Sequence, residues 1–224
     1  MEILLCQTIA EEMEQKIKKG EWKKDDKLPS ERILSETYNV SRTVIREALK
    51  ILNEKSLVVN QPGRGNYVTT PGTDTIISQF ESMISYNNIP LSDVVEAREE
   101  LEIVIAQKAI QNVCREQTRK LELLYQMMEN SLDDSLSFND CDYKFHLQLA
   151  KCSGNQALEM IFSSLYFITG KNTYLSITST REIREHAQKE HMEILNALKT
   201  RSPRNMSQAI RRHMKCIHEH LISS

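Results

Sequence analysis

Leu28-Pro29-Ser30-Glu31-Arg32-Ile33-Leu34, followed after Tyr38-Asn39 by Val40-Ser41-Arg42-Thr43-Val44-Ile45-Arg46-Glu47-Ala48-Leu49-Lys50-Ile51-Leu52, is the stretch that decides the fold. It reads as two short helices joined by a tight turn, with Ser30 and Ser41 each placed to cap a helix N-terminus. Ile33, Leu34, Val40, Val44, Ile45, Ala48, Leu49 and Leu52 supply a small apolar core. The opposite face of the second helix carries Arg42, Arg46 and Lys50 at i, i+4 and i+8. This is helix-turn-helix spacing, although a basic stripe on one helix is by itself equally a solvated face.

Outward on the C-terminal side, Leu57-Val58-Val59 and Tyr67-Val68-Thr69-Thr70 are β-branched runs joined across Pro62-Gly63-Arg64-Gly65, which predicts a small hairpin. Helix-turn-helix plus hairpin makes a winged head from about Ile9 to Thr69. A second punctuation, Thr70-Pro71-Gly72-Thr73, sets a domain boundary, giving residues 1–70 and 71–224. Downstream the apolar spacing predicts seven amphipathic helices, near 74–87, 91–113, 116–132, 137–152, 155–169, 179–200 and 204–221. The fold class is therefore mainly α: a winged helix-turn-helix followed by an all-α bundle.

On the head, a recognition helix entering the major groove needs forked donors for guanine O6 and N7, and Arg42 and Arg46 lie one turn apart at that end. Thr43 is suited to a phosphate or a thymine methyl, and Arg32 approaches from the preceding helix. Arg64, between Gly63 and Gly65 at the hairpin tip, is placed to reach a minor groove. The chain carries 29 Lys and Arg against 31 Asp and Glu, a formal charge of −2, which excludes unselective coating of nucleic acid. Selective contact by a few residues of the head is what that balance allows.

The motifs Leu28-Pro29-Ser30-Glu31-Arg32, Val40-Ser41-Arg42-Thr43-Val44-Ile45-Arg46-Glu47-Ala48-Leu49 and Gly63-Arg64-Gly65-Asn66-Tyr67-Val68 together resemble the GntR family of bacterial regulators. The resemblance implies contacts to double-stranded operator DNA by Arg32, Ser41, Arg42, Thr43, Arg46 and the wing residues Gly63, Arg64 and Gly65. Lys24-Asp25-Asp26 departs from the family, which usually has Pro-Gly there, and leaves the shape of that loop open.

In the helical half, Asp142 and His146 stand four apart, so both project from one helix face. His191 and His213 lie on two later helices. Three imidazoles and a carboxylate suit Zn, Ni, Mn or Fe and can leave positions open for water or an anion, whereas scattered surface histidines remain the ordinary alternative. Asp142-Tyr143-Lys144-Phe145-His146, Ser153-Gly154-Asn155, Glu190-His191 and His213 resemble the ligand-binding domain of the FadR subgroup in its metal-containing branch. That resemblance implies Asp142, His146, His191 and His213 as ligands of a divalent metal ion, and Asn155 beside the effector. Arg98-Glu99-Glu100-Leu101-Glu102 resembles the subgroup's Arg-x-x-Leu-Glu signature, whose arginine meets the effector carboxylate; pairing of Arg98 with Glu102 on a helix surface is the competing reading. His186, His218 and His220 read as surface or neighbouring residues, with His220 the rival ligand.

Five scattered cysteines without Cys-x-x-Cys spacing indicate neither a disulfide framework nor a zinc knuckle. Cys141 and Cys152, like Met127, Met128, Met160 and Met214, read as core filling. No run is long and apolar enough to span a membrane, and the N-terminus lacks a secretory signal pattern, so the expected location is cytoplasmic. These readings define a homodimeric, non-enzymatic regulator of transcription whose operator binding responds to a small carboxylate. A metal that is structural or itself sensed, and a helical metalloenzyme fused to a DNA-binding head, are the alternatives.

Overall fold

The computed structural model describes residues 2–170 and 177–223, apart from the side chains at 2, 3, 73, 74, 218 and 220–223. The chain divides into two compact units, Met1–Ile76 and Ile77–Ser224.

In the first unit, α1 (Glu2–Lys18) is followed by α2 (Glu31–Tyr38), α3 (Arg42–Glu54) and a hairpin of β1 (Val58–Gln61) and β2 (Gly65–Val68). Helix α1 contributes Cys6, Ile9, Ala10 and Met13, at three- and four-residue spacing, to a core closed by Leu28, Leu34, Ile45, Leu49, Leu52, Val58 and Val68. Each large side chain buried there stabilises the fold by roughly 1.5–3 kcal/mol. Ser30 Oγ accepts from Ile33 N at 3.4 Å and Ser41 Oγ from Val44 N at 3.3 Å, so both serines cap as expected. Asn39 takes φ 52° to turn the chain between α2 and α3. Ile33 is exposed, contrary to its expected place in the core: on an eight-residue helix the α3-facing position is taken by Leu34.

The hairpin pairs Val58 with Val68 and Gln61 with Gly65 in antiparallel register, and Gly63 at its tip has φ 73°. Leu28 N and Val68 N donate to Asn66 O and Asp26 O, which ties the segment before α2 to the edge of β2. In the loop at Lys24-Asp25-Asp26, Asp25 itself adopts φ 71°, a region that Asp tolerates better than most residues, while Lys23 N donates to Asp26 Oδ2 at 2.7 Å.

The helical unit consists of α4 (Thr73–Tyr86), whose first residues belong to the first unit, α5 (Leu91–Asn112), α6 (Arg115–Glu129), α7 (Ser135–Cys152), α8 (Gln156–Gly170), α9 (Arg181–Lys199) and α10 (Pro203–Ser223). Among the described residues these match the seven expected helices, with bounds differing by one to three residues where they differ. The break expected across 170–180 falls largely outside the described residues. Helix α5 packs against α7, α8 and α10, while α6 packs against α7 and α9. Phe138, Phe145, Leu149, Ile105, Leu121, Met128, Ile194 and Met214 are fully buried at the centre. Cys141 and Cys152 are buried as expected, but Met127 and Met160 are exposed. Met127 precedes Met128 by one position on α6 and so faces about 100° away from it, toward solvent. Among the described residues no helix is long and apolar enough to cross a membrane.

Candidate metal centre and nucleic-acid interface

The buried stripe of α7 runs Phe138, Cys141/Asp142, Phe145/His146, Leu149, so an aspartate and a histidine occupy positions that helical periodicity assigns to apolar side chains. The same substitution recurs at His191 between Gln188 and Ile194 on α9, and at His213 between Ile210 and Ile217 on α10. All four residues are buried, and one ligand atom from each lies within 4.8 Å of the others. His146 Nε2 is 3.3 Å from His191 Nε2 and 3.1 Å from His213 Nε2, and His191 Nε2 is 2.9 Å from Asp142 Oδ1.

Those separations fit a cation. Bonds of about 2.0–2.1 Å place tetrahedral donors about 3.3 Å apart and adjacent octahedral donors about 3 Å apart. The outward ring atoms point the same way. His146 Nδ1 faces Glu102 Oε2 at 2.9 Å, off the line of a good hydrogen bond, and His213 Nδ1 faces Glu190 Oε2 at 3.2 Å. With the ring protons on those Nδ1 atoms, the two Nε2 lone pairs confront each other at 3.1 Å, which a cation between them relieves. His191 Nδ1 is buried without a hydrogen-bond partner. The cluster is therefore one that could coordinate a divalent metal ion.

Sequence reasoning missed Tyr166 and the approach of Glu102 to His146 and of Glu190 to His213. Tyr166 on α8 donates its hydroxyl to Asp142 Oδ2 at 2.5 Å. Arg98 is fully buried on α5, where its Nε meets Glu102 Oε1 at 2.7 Å, its Nη1 donates to Thr169 Oγ1 at 3.0 Å, and its guanidinium lies 4.3 Å from the Tyr166 ring centre. The Arg98–Glu102 pairing is thus present, but in the core and not on a helix surface. Burial pushes the Glu102 carboxyl up, yet the charges of Arg98 and His146 outweigh it and hold the group at about 2. Asp142 is likewise driven up by burial and, more strongly, down by His191, then His146 and His213, to well below the carboxylate range. Polar residues on the buried stripe of α5 were the available signal for Glu102; no sequence pattern marks Tyr166.

A cavity of about 30 Å³ touches Asp142, His213 and Glu190 and is walled by Thr178, His186 and Cys216, among others. That is room for a water or two. A larger open groove, about 690 Å³, between residues 113–119 and 198–201 includes none of the four ligands. Asn155 is exposed, and its Oδ1 caps α8 by accepting from Ala157 N and Leu158 N. His186 is exposed and approaches Glu190 Oε1 at 3.4 Å, while the side chains of His218 and His220 lie outside the described residues.

On the head, Arg42, Thr43, Arg46 and Lys50 are exposed along α3, and Arg64 is exposed at the hairpin tip between Gly63 and Gly65. Ser41 is exposed while its hydroxyl caps α3. Arg32 pairs with Glu36 at 2.8 Å within α2, and Arg46 Nε reaches across to Glu31 Oε2 at 2.7 Å.

A winged helix-turn-helix with a basic recognition face, joined to an all-α unit holding a metal-capable cluster, defines a DNA-binding transcription regulator. Residues 5–68 match the model of bacterial regulatory proteins of the gntR family, and residues 93–215 match the FCD domain. The chain belongs to the GntR family, a regulatory family and not an enzymatic one. It is 31% identical to the HTH-type transcriptional repressor NanR of Klebsiella aerogenes over 95% of this chain and 84% of that protein. Identity to the repressor of the same name from Salmonella newport is 30%, with the same coverage. Among solved structures, Streptococcus agalactiae GntR superposes with TM-score 0.71 at 25% identity, covering 96% of this chain and 99% of that one. E. coli McbR/YncC shares the fold, with TM-score 0.54 at 18% identity over 98% and 97% of the two chains.

Proposed function

We propose that this chain is a homodimeric repressor of the FadR subgroup, whose two heads, residues 1–70, read half-sites of a pseudo-palindromic operator. Its helical domain, residues 71–224, binds a divalent transition metal through Asp142, His146, His191 and His213, and a small carboxylate beside it controls DNA binding. The observation that carries this reading is the convergence of four buried ligand atoms from three helices within 4.8 Å. Repression follows the names of the relatives. Zn, Ni, Mn and Fe all suit this donor set, and the bound ion would supply a Lewis-acidic position for a carboxylate oxygen. Arg98 contributes a fixed positive charge nearby, Tyr166 orients Asp142, and Glu102 and Glu190 orient His146 and His213. A carboxylate can shift operator binding only as far as it prefers one arrangement of the dimer.

A second reading, in which the metal itself is the signal, is favoured by a specific feature. The cavity beside the ligands holds a water or two, and Arg98 is already engaged by Glu102 and Thr169. In either case Arg32, Ser41, Arg42, Thr43, Arg46 and the Gly63-Arg64-Gly65 wing contact DNA. The test is operator affinity of metal-free protein, metal-loaded protein and an Asp142→Ala variant, with and without a panel of sugar acids, hydroxy acids and amino acids. Carboxylate-dependent release only from metal-loaded wild type supports the first reading. Metal dependence without any carboxylate effect supports the second, and equal metal content in Asp142→Ala removes the site.

A further inference from the structure

The ion pair between Glu31 and Arg46 joins the first residue of α2 to the second turn of α3, across the turn of the helix-turn-helix. It places a carboxylate on the face where phosphates approach, which weakens any DNA-binding surface unless the carboxylate does something else there. An exposed pair, here with side chains 65% and 33% accessible, stabilises a fold little. Its geometry suggests the other use. A guanidinium is a planar fork, and Glu31 engages only Nε. That contact fixes the plane of the group and leaves the Nη1 and Nη2 end, which is the end that forks onto guanine O6 and N7. Arg42 and Lys50, one turn either way on the same face, have no carboxylate holding them among the described residues. Arg46 and Glu31 also line a cleft of about 250 Å³ with Lys50, Asn53, Asn60 and Asn66, the last two joined across the hairpin at 3.0 Å. The held arginine therefore stands between recognition helix and wing.

We infer that Glu31 is a positioning residue that pre-orients Arg46 and so sets the base preference at one position of each half-site. The inference rests on Arg46 being a base-reading residue. A randomised duplex library selected on the full-length protein gives the preferred site, and single-base variants of that site then measure discrimination position by position. Arg46→Ala should lower discrimination at one position by about tenfold or more. Glu31→Ala should lower it at the same position by several-fold, Glu31→Gln, which keeps an acceptor oxygen for Nε, should restore most of it, and Glu31→Ala should add nothing in the Arg46→Ala background. Unchanged discrimination in Glu31→Ala, a uniform loss at every position, or an additive loss in the double variant overturns the role of Glu31 while leaving Arg46 in place. Discrimination untouched by Arg46→Ala overturns the base-reading role of Arg46 and this inference with it.

Discussion

The two ends of this chain keep their polar residues under opposite conditions. On the head, Arg42, Arg46 and Arg64 stand in solvent on elements whose apolar faces are complete without them. In the helical unit, Arg98, Glu102, Asp142, His146, His191 and His213 replace apolar side chains inside the core itself. The first set can change without disturbing the fold. The second is held together by the packing it interrupts, so binding and stability are there the same problem.

Breaking the core pair is the largest effect expected. Arg98→Met removes the stronger of the charges that hold Glu102 ionised and should destabilise the helical unit by about 3–5 kcal/mol in denaturant unfolding; a loss below about 1 kcal/mol would show that His146 alone compensates the carboxylate. Removing the metal comes next. At a hundredfold excess over its Kd, an ion bound only by the folded state stabilises it by about 2.7 kcal/mol, so a chelator should lower the melting temperature of wild type but not of His191→Ala. The head should behave in the reverse way. Arg42→Ala should weaken operator binding by about 1–3 kcal/mol while changing thermal stability by no more than about 0.5 kcal/mol, and an operator titration paired with a melt checks both. Smallest is Ser41→Ala, which removes the α3 cap and should cost about 1 kcal/mol of stability in the head, read by urea titration of its helical signal.

This contrast also explains what the sequence makes legible. The helix-turn-helix is local: Ser30, Ser41, Asn39 and the apolar spacing of α2 and α3 lie within 25 residues, and each acts on its near neighbours. The seven downstream helices are legible for the same reason. Spacing picked out Asp142 with His146 on one helix face, but joining them to His191 and His213 took the resemblance, because Asp142 and His213 are 71 residues apart and spacing along the chain carries no information about their meeting. Tyr166 was missed because no sequence pattern marks it, and Glu102 was read only as a partner of Arg98, its approach to His146 depending on the meeting of α5 and α7. Asn155, read as an effector residue, is exposed and caps α8, which its place after Gly154 and before an apolar run also allows. Met127 and Met160 show that residue type alone does not tell which side of a helix faces inward.

The cavity beside the ligands admits little more than water, and all four ligand side chains are shut away from solvent. An ion held there would leave through a local opening of the helical unit, so its residence time would be set by the free energy of that opening. Were the ion itself the signal, such a centre would act as a slow clock, averaging metal supply over many openings and blind to brief fluctuations.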